Sequence, residues 1–452
     1  MEIIVKTVRR NIYQEGYLVV FLMFLGCNVF AHTTTSDTIK KKGWNFGVLP
    51  AVSFDSDLGF QYGGLVDAFN YGDGTIYPNY KHEVYVEISR MTKGSGINRF
   101  FYNSGKSFKK ILLSLDATYL TDMAFPFYGI NGAQSLYTQS FTDKESSSYK
   151  SRMFYAYDRK LMRVEPIFIG VLKGNSKWIA GAGIYKYEIG SVNIDKLNKG
   201  KDEKDKLPTI DLLYDLYVKN GLIAKEDASG GWYNHLFGGF IYDTRNSTAN
   251  PERGMMQEAL VGISPEGAGN TRTCFKVGLS HRQFIPIVKK RLTFGYRLAW
   301  TFNSDNTPWY ARQLLLKSNP NSAYSEGVGG GKTVRGIKLY RVIGQDFAYG
   351  NFEFRYRFAR TRIFKQNFYL TLSSFYDVGY ITRFSRLQLS DVVDDSRIQY
   401  FSNSKTDGLH QGVGMGLRVI MNENFIVAFD YGKALDKQDG DTGFYINLNF
   451  LF

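Results

Sequence analysis

Gly329-Gly330-Gly331-Lys332-Thr333 has the composition of the end of a nucleotide phosphate loop, where backbone N–H groups and a lysine cradle phosphate oxygens. The spacing fails, because the glycine required five positions before Gly331 is Glu326. Downstream, "TVRGIKLYRVIG" offers β-branched residues and glycines where a helix should begin. Other patterns are equally poor: the chain has no Gly-x-Ser-x-Gly elbow and no His-Glu-x-x-His site, and His32, His82, His235, His281 and His410 are scattered without ligand spacing. No catalytic residue, cofactor or metal is therefore assigned. A serine, a histidine and an acid assembled from separate strands stays open as a barrel hydrolase.

The elements that would position any site begin with an export signal. Lys6, Arg9 and Arg10 precede the apolar run "YLVVFLMFL" and a small-residue site ending at Ala31, the layout of a cleaved signal peptide over residues 1–31. A retained anchor is the alternative, against which the run is short for a bilayer; "FLGC", ending at Cys27, is a loose lipoprotein-type site. With Cys27 removed, Cys274 has no intramolecular partner. Cleavage takes away three basic and two acidic residues, so the net charge falls from +14 to +13. On an exported protein such a balance points to anionic lipid or phosphorylated glycolipid as neighbours and away from nucleic acid.

The 35 Phe, 32 Tyr and 46 Gly coexist with a negative mean hydropathy and no second long apolar run, which points to an all-β transmembrane barrel. Period-two alternation supports this. Phe444, Ile446, Leu448, Phe450 and Phe452 share one face of "GFYINLNFLF"; Val413, Met415, Leu417 and Val419 alternate with glycines and Arg418, and Val427, Phe429 and Tyr431 with Ala428, Asp430 and Gly432. About 16 antiparallel strands are expected, near 44–54, 58–69, 81–92, 108–121, 148–157, 161–171, 177–190, 232–243, 255–264, 272–284, 288–302, 346–358, 367–381, 410–421, 424–433 and 443–452. Long loops fall at 191–231, 303–345 and 382–409, and 122–147 is long on the side where turns should be short. Residues 32–42 read as a short periplasmic lead, too small for an independent domain, before a barrel over 43–452.

Beyond the glycines, Val334-Arg335-Gly336 lies in the long loop after strand 11. Together with "YDTRNSTANPERG" (bearing Asp243, Arg245 and Gly254), "FEFRYRF" from Phe352, "FYDVG" from Phe375 to Gly379, "GVGMGLRV" and the terminal Phe452, it resembles the BamA/TamA-like outer-membrane assembly-factor superfamily, the bacterial surface antigen barrels. "FPFYGING" from Phe125 resembles a turn in members without an elaborate N-terminus. The resemblance implies a Gram-negative outer-membrane location and a loop folded back into the lumen. It also implies contact of Arg335, beside Gly336, with Asp377 and Glu353 nearby, and a C-terminal assembly signal in Phe444, Ile446, Leu448, Phe450 and Phe452. Parity agrees in turning both carboxylates inward, since Phe352, Phe354 and Tyr356 occupy the other face of one strand and Leu370, Leu372, Tyr376 and Val378 that of the next.

The function so implied is that of a member without the N-terminal POTRA domains that receive substrate polypeptides. It assists insertion, assembly or translocation of proteins, or moves lipid. Its own insertion relies on the barrel assembly machinery, and a periplasmic or lipoprotein partner supplies the missing part. The route would be a weakly zipped seam between first and last strands, and Pro50, which cannot donate to a ladder, suits such an edge. A passive or gated channel, or a surface-binding barrel with the loop as plug, is the alternative.

Overall fold

The computed structural model describes residues 41–452 apart from 57, 77–79, 106, 109, 135–136, 319–322, 325, 364–365, 386–399, 401–406, 422–424 and 449. The expected signal peptide lies outside the described residues. Each strand pairs antiparallel with its sequence neighbours, and the last returns to the first, so the sheet closes and leaves few backbone polar groups for lipid to meet.

The strands are β1 (Trp44–Pro50 and Ser53–Asp55), β2 (Gly59–Asn70), β3 (His82–Met91), β4 (Ser95–Asn103), β5 (Ile111–Pro126), β6 (Ala156–Lys173), β7 (Ser176–Gly190) and β8 (Gly230–Trp232 and His235–Asp243). The second half comprises β9 (Gly254–Ser264), β10 (Cys274–Val288), β11 (Leu292–Asn303), β12 (Asp346–Ile363), β13 (Gln366–Arg383), β14 (His410–Met421), β15 (Phe425–Ala434) and β16 (Thr442–Leu448). Both pieces of β1 pair with β2, and both pieces of β8 with β7, so each counts as one interrupted strand. The result is a closed, 16-stranded antiparallel β-barrel. Among the described residues no helix is long and apolar enough to cross a membrane.

Two expected elements are corrected. "SGINRFFYN" forms β4, missed because three aromatic residues in a row hide the two-residue alternation; Arg99 lies against Phe101 on the inner side. The expected strand at 148–157 does not form, since Phe154 packs edge-on against Tyr155 and Phe141, and Tyr155 packs at a tilt against Tyr137, inside a loop, and the wall strand starts only at Ala156. Gaining one strand and losing another keeps the count. It also moves the long connection 127–155 to the end that carries the other long loops, removing the apparent exception.

Side chains sort by parity as a membrane barrel demands. Ile88, Phe240, Val261, Leu279, Phe354 and Met415 are exposed on the outer wall, while Asp116, Arg163, Glu353, Asp377 and Arg418 are buried inside. Among the described residues the closing pair is the weakest in the barrel: β16 meets β1 at Tyr445↔Asp55 and Ile446↔Phe54 alone. Seven register pairs join β15 to β16, by contrast. Ser56 extends the seam slightly, accepting from the Phe444 amide at 2.7 Å. On the other side of the seam, residues Trp44–Pro50 pair, among the described residues, with β2 alone, and Phe46 and Val48 are 71% and 76% exposed.

The C-terminus departs from its expected face. Phe444 and Leu448 point outward, but β16 ends at Leu448, and Phe450 and Phe452 are buried. Phe450 packs with Tyr369, Ile420 and Ile426, and Phe452 stacks 6.0 Å from Phe284. The Arg355 guanidinium lies 4.0 Å from the Phe450 ring and 5.0 Å from that of Phe452. Alternation predicts faces only while the strand continues, and inward arginines offer these rings a cation–π surface that lipid does not.

Candidate functional site: a loop braced across the lumen

The connection 304–345 between β11 and β12 turns into the barrel, and Val328, Val334, Ile337 and Val342 are fully buried there with Phe347 and Ile381 of the wall. At the tip, Arg335 is fully buried. Its Nε donates to Asp377 Oδ2 at 2.8 Å, its Nη2 to Asp377 Oδ1 at 3.1 Å, and its backbone N–H to Oδ2 at 3.0 Å. This is the bidentate fork that a planar guanidinium is built to make. The remaining Nη1 faces Glu353 at 3.2 Å and Asp430 at 3.4 Å, and the guanidinium lies flat on Phe375, 3.4 Å from its ring centre.

Two further arginines complete the set. Arg355 pairs with Glu353 at 3.2 Å, and Arg418 with Asp430 at 2.8 Å and Glu353 at 3.6 Å. Three buried cations thus face three buried carboxylates, which limits the cost of burying each. Burial pulls the Arg335 pKa down, but Asp377, Asp430 and Glu353 more than offset it and the group ends raised, so it stays charged.

The tip fits only because the wall is notched. Gly336 turns with φ +89°, in the region where a side chain clashes. A Cβ on Gly412 of β14 would sit 2.0 Å from the Arg335 carbonyl oxygen, and one on Gly432 of β15 would sit 2.7 Å from the Gly336 nitrogen. Gly336 N–H also donates to the Tyr445 hydroxyl at 3.3 Å, placing the tip against the last strand beside the seam.

A second attachment lies at β5 and β6. Glu326, in the ascending arm of the loop, accepts from Arg159 Nη1 at 2.8 Å, and Arg159 also holds Asp122 at 2.9 Å. Tyr324 donates to Asp122 at 2.6 Å, and the Arg159 guanidinium lies 3.5 Å from the Phe125 ring centre. Above this, Phe127, Tyr157, Tyr214, Tyr217 and Trp309 form edge-on pairs that roof the lumen at the long-loop end. At the base, Lys276 Nζ donates to the carbonyls of Ala311, Arg312 and Leu314 at 2.9, 3.1 and 2.8 Å.

The structure therefore brings Val334, Arg335, Gly336, Glu353, Phe375 and Asp377 together. Gly379, two residues beyond Asp377, leaves room for Val342 and Val328, whose carbons would lie 3.1 and 3.2 Å from a Cβ there. Asp243, Arg245 and Gly254 lie elsewhere, in the turn after β8, where Arg245 pairs with Asp243 at 2.9 Å and Gly254 takes φ +95°. Sequence reasoning left Asp430 and Arg418 outside the site although their parity pointed inward. It missed the Glu326–Arg159–Asp122 attachment altogether. The phosphate-loop composition has a different use here: Thr333 Oγ1 accepts from the Gly329 amide at 2.9 Å, folding the glycine run against the tip.

The barrel resembles solved structures in fold. Against solved structures, BamA from Haemophilus ducreyi, in a form lacking POTRA domains 1–3, aligns with a TM-score of 0.53 at 13% identity, covering 90% of this chain and 70% of that one. CdiB from Escherichia coli aligns with a TM-score of 0.53 at 11% identity, covering 92% of this chain and 64% of CdiB. At these identities the likeness shows the fold alone, and the chain spans under two thirds of CdiB's length. A search of curated proteins finds no match. The model of the Omp85 superfamily domain matches residues 118–452, from β5 to the C-terminus and including the whole braced loop. The chain belongs to the Omp85 superfamily and is an integral outer-membrane β-barrel.

Proposed function

We propose that this barrel assists insertion, assembly or translocation of proteins at the outer membrane by opening its seam. The observation that carries this reading is, among the described residues, the two-pair closure between β1 and β16, beside a first-strand edge that pairs on one side only. An unpaired strand edge is a template for another strand, because its N–H and C=O groups lack partners. Opening here costs few ladder hydrogen bonds, whereas opening between β14 and β15 breaks ten register pairs. The braced loop sits against the same seam: a Cβ on Gly331 would lie 2.7 Å from the Tyr445 ring and 3.3 Å from Asp55. In this role Arg335, Glu353, Asp377 and Asp430 lock the loop, and a periplasmic or lipoprotein partner delivers clients.

A disulfide across the seam, from Phe54→Cys with Ile446→Cys, tests this. The locked barrel loses activity in depletion–complementation assays and regains it under reductant, and client strands crosslink from Trp44 in the reduced form. Full complementation by the oxidised, verified crosslink sinks the proposal. The second reading, a gated channel plugged by the loop, draws on the roofed lumen; removing residues 326–340 raises conductance under either reading, so client crosslinking decides between them.

A further inference from the structure

At the short-turn end of the barrel, the hairpin between β10 and β11 reaches past its neighbour. The β9–β10 ladder ends at Gly254↔Phe284, so among the described residues 285–288 pair with β11 alone. Phe284 is buried, but Ile285, Pro286, Ile287 and Val288 are all exposed, whichever way their parity turns them. Ile285, Ile287 and Val288 are 43%, 52% and 48% exposed, and they continue the lipid-facing row of Phe354, Tyr356 and Phe358 on β12. Against water such an edge is a liability, whereas against acyl chains it is ordinary wall.

The apolar row ends in charge. Lys289, Lys290 and Arg291 form the exposed turn, which the Arg291 N–H closes on the Val288 carbonyl at 2.9 Å. Lys290 takes φ +61°, a conformation that glycine adopts at lower cost. Across the free edge, Arg253 is exposed just before Gly254. The carboxylates of the turn after β8 are already engaged: Glu252 accepts from Arg357 at 2.9 Å, and Asp243 is shared by Arg245 at 2.9 Å and Lys177 at 3.8 Å. An oxygen of the C-terminal Phe452 is held by Arg355 at 3.1 Å. Among the described residues no carboxylate pairs with Lys289, Lys290, Arg291 or Arg253.

We propose that this hairpin is a binding site for an anionic phospholipid, with Ile285, Ile287 and Val288 against its acyl chains and Lys289, Lys290, Arg291 and Arg253 around its phosphate. The order of chemistry along the hairpin matches a bilayer surface: apolar side chains first, then cations at headgroup depth, each worth about fivefold in affinity for an anionic leaflet. A protein strand fits this edge less well. Pro286 has no N–H to offer along it and lysines follow, the two devices that blunt an edge against strand addition. The site needs neither a client nor an opening seam, and it stands if that role fails.

The test keeps the full barrel, reconstituted in vesicles of equal parts phosphatidylglycerol and phosphatidylcholine, with the photocrosslinking residue p-benzoylphenylalanine in place of Val288. Mass spectrometry of the adducts is expected to show phosphatidylglycerol captured about fivefold or more over phosphatidylcholine, falling towards equality as salt is raised. Lys289→Gln, Lys290→Gln and Arg291→Gln together bring capture to the bulk ratio, whereas Lys289→Arg with Lys290→Arg keeps the preference. Heat-modifiability on gels confirms that each variant is folded. Capture at the bulk ratio by the barrel with its basic turn intact overturns the inference, as does a folded Gln variant whose preference is undiminished. Capture of added polyglutamate in preference to lipid also overturns it, and assigns the turn to an acidic protein segment.

Discussion

The lumen loop meets the wall at two places built with opposite polarity. At the tip the loop carries the cation, Arg335, into a wall that supplies Glu353, Asp377 and Asp430. At the ascending arm the loop carries the acid, Glu326, to a wall arginine, Arg159, that already holds its own Asp122. In both, the guanidinium lies on a phenylalanine ring, at 3.4 Å from Phe375 and 3.5 Å from Phe125. The difference lies in what remains when the loop lets go. Withdrawing Glu326 leaves a paired Arg159 and Asp122, whereas withdrawing Arg335 leaves three buried carboxylates with only Arg355 and Arg418. The tip is therefore the attachment whose release the wall resists, and the arm is the one it tolerates.

Arg335→Ala is expected to have the largest effect. Removing one partner of a buried ion pair costs about 3–5 kcal/mol, because the stranded charge stays desolvated. The variant should unfold at lower temperature in heat-modifiability gels, and its loop should become sensitive to proteinase K between residues 326 and 340. Arg335→Lys recovers only part of the loss, since an ammonium cannot make the planar fork to Asp377. Wild-type resistance in folded Arg335→Ala would remove the tip as the dominant attachment.

Glu326→Gln should cost less, about 1–2 kcal/mol, because a charged hydrogen bond becomes a neutral one while Arg159 keeps Asp122. Combining it with Arg335→Ala sharpens the comparison. Independent attachments give unfolding free energies that add within about 0.5 kcal/mol. A loop acting as one strut gives a double variant little worse than Arg335→Ala alone, because the first loss already frees the arm. Glu326→Gln exceeding Arg335→Ala would invert the proposed order.

The two attachments also differ in how much of them was legible in the chain. The tip could be read because Val334-Arg335-Gly336 and "FYDVG" are local motifs and strand parity sends Glu353 and Asp377 inward. Asp430 and Arg418 obey the same parity, but nothing local marks them as partners of a loop some hundred residues away. The arm was illegible for a stronger reason: Asp122, Arg159 and Glu326 lie on two strands and a loop, and only closure of the barrel brings them together. In the chain Glu326 stands out only as the residue that spoils a phosphate loop. The barrel followed from alternation, and its strand number agrees because the unexpected β4 offsets the strand expected at 148–157. Alternation failed where aromatic residues serve packing within the protein instead of lipid contact, as at Phe101, Phe154, Phe450 and Phe452.

The smallest effect is expected at the arm's outer contact. Tyr324 donates to Asp122 Oδ1 at 2.6 Å, while Arg159 donates to Oδ2 through Nε at 3.1 Å and Nη2 at 2.9 Å. Tyr324→Phe removes a single hydroxyl and leaves the carboxylate with both guanidinium bonds, so no buried charge is stranded. The loss should be about 0.5–1 kcal/mol by chemical unfolding, with proteinase K cleavage near residue 324 and none near Arg335. That local pattern follows if the arm is a secondary stay and the tip holds alone. Cleavage spreading to the tip, with a loss as large as that of Arg335→Ala, would make Asp122 the keystone of the brace and Arg335 its dependent.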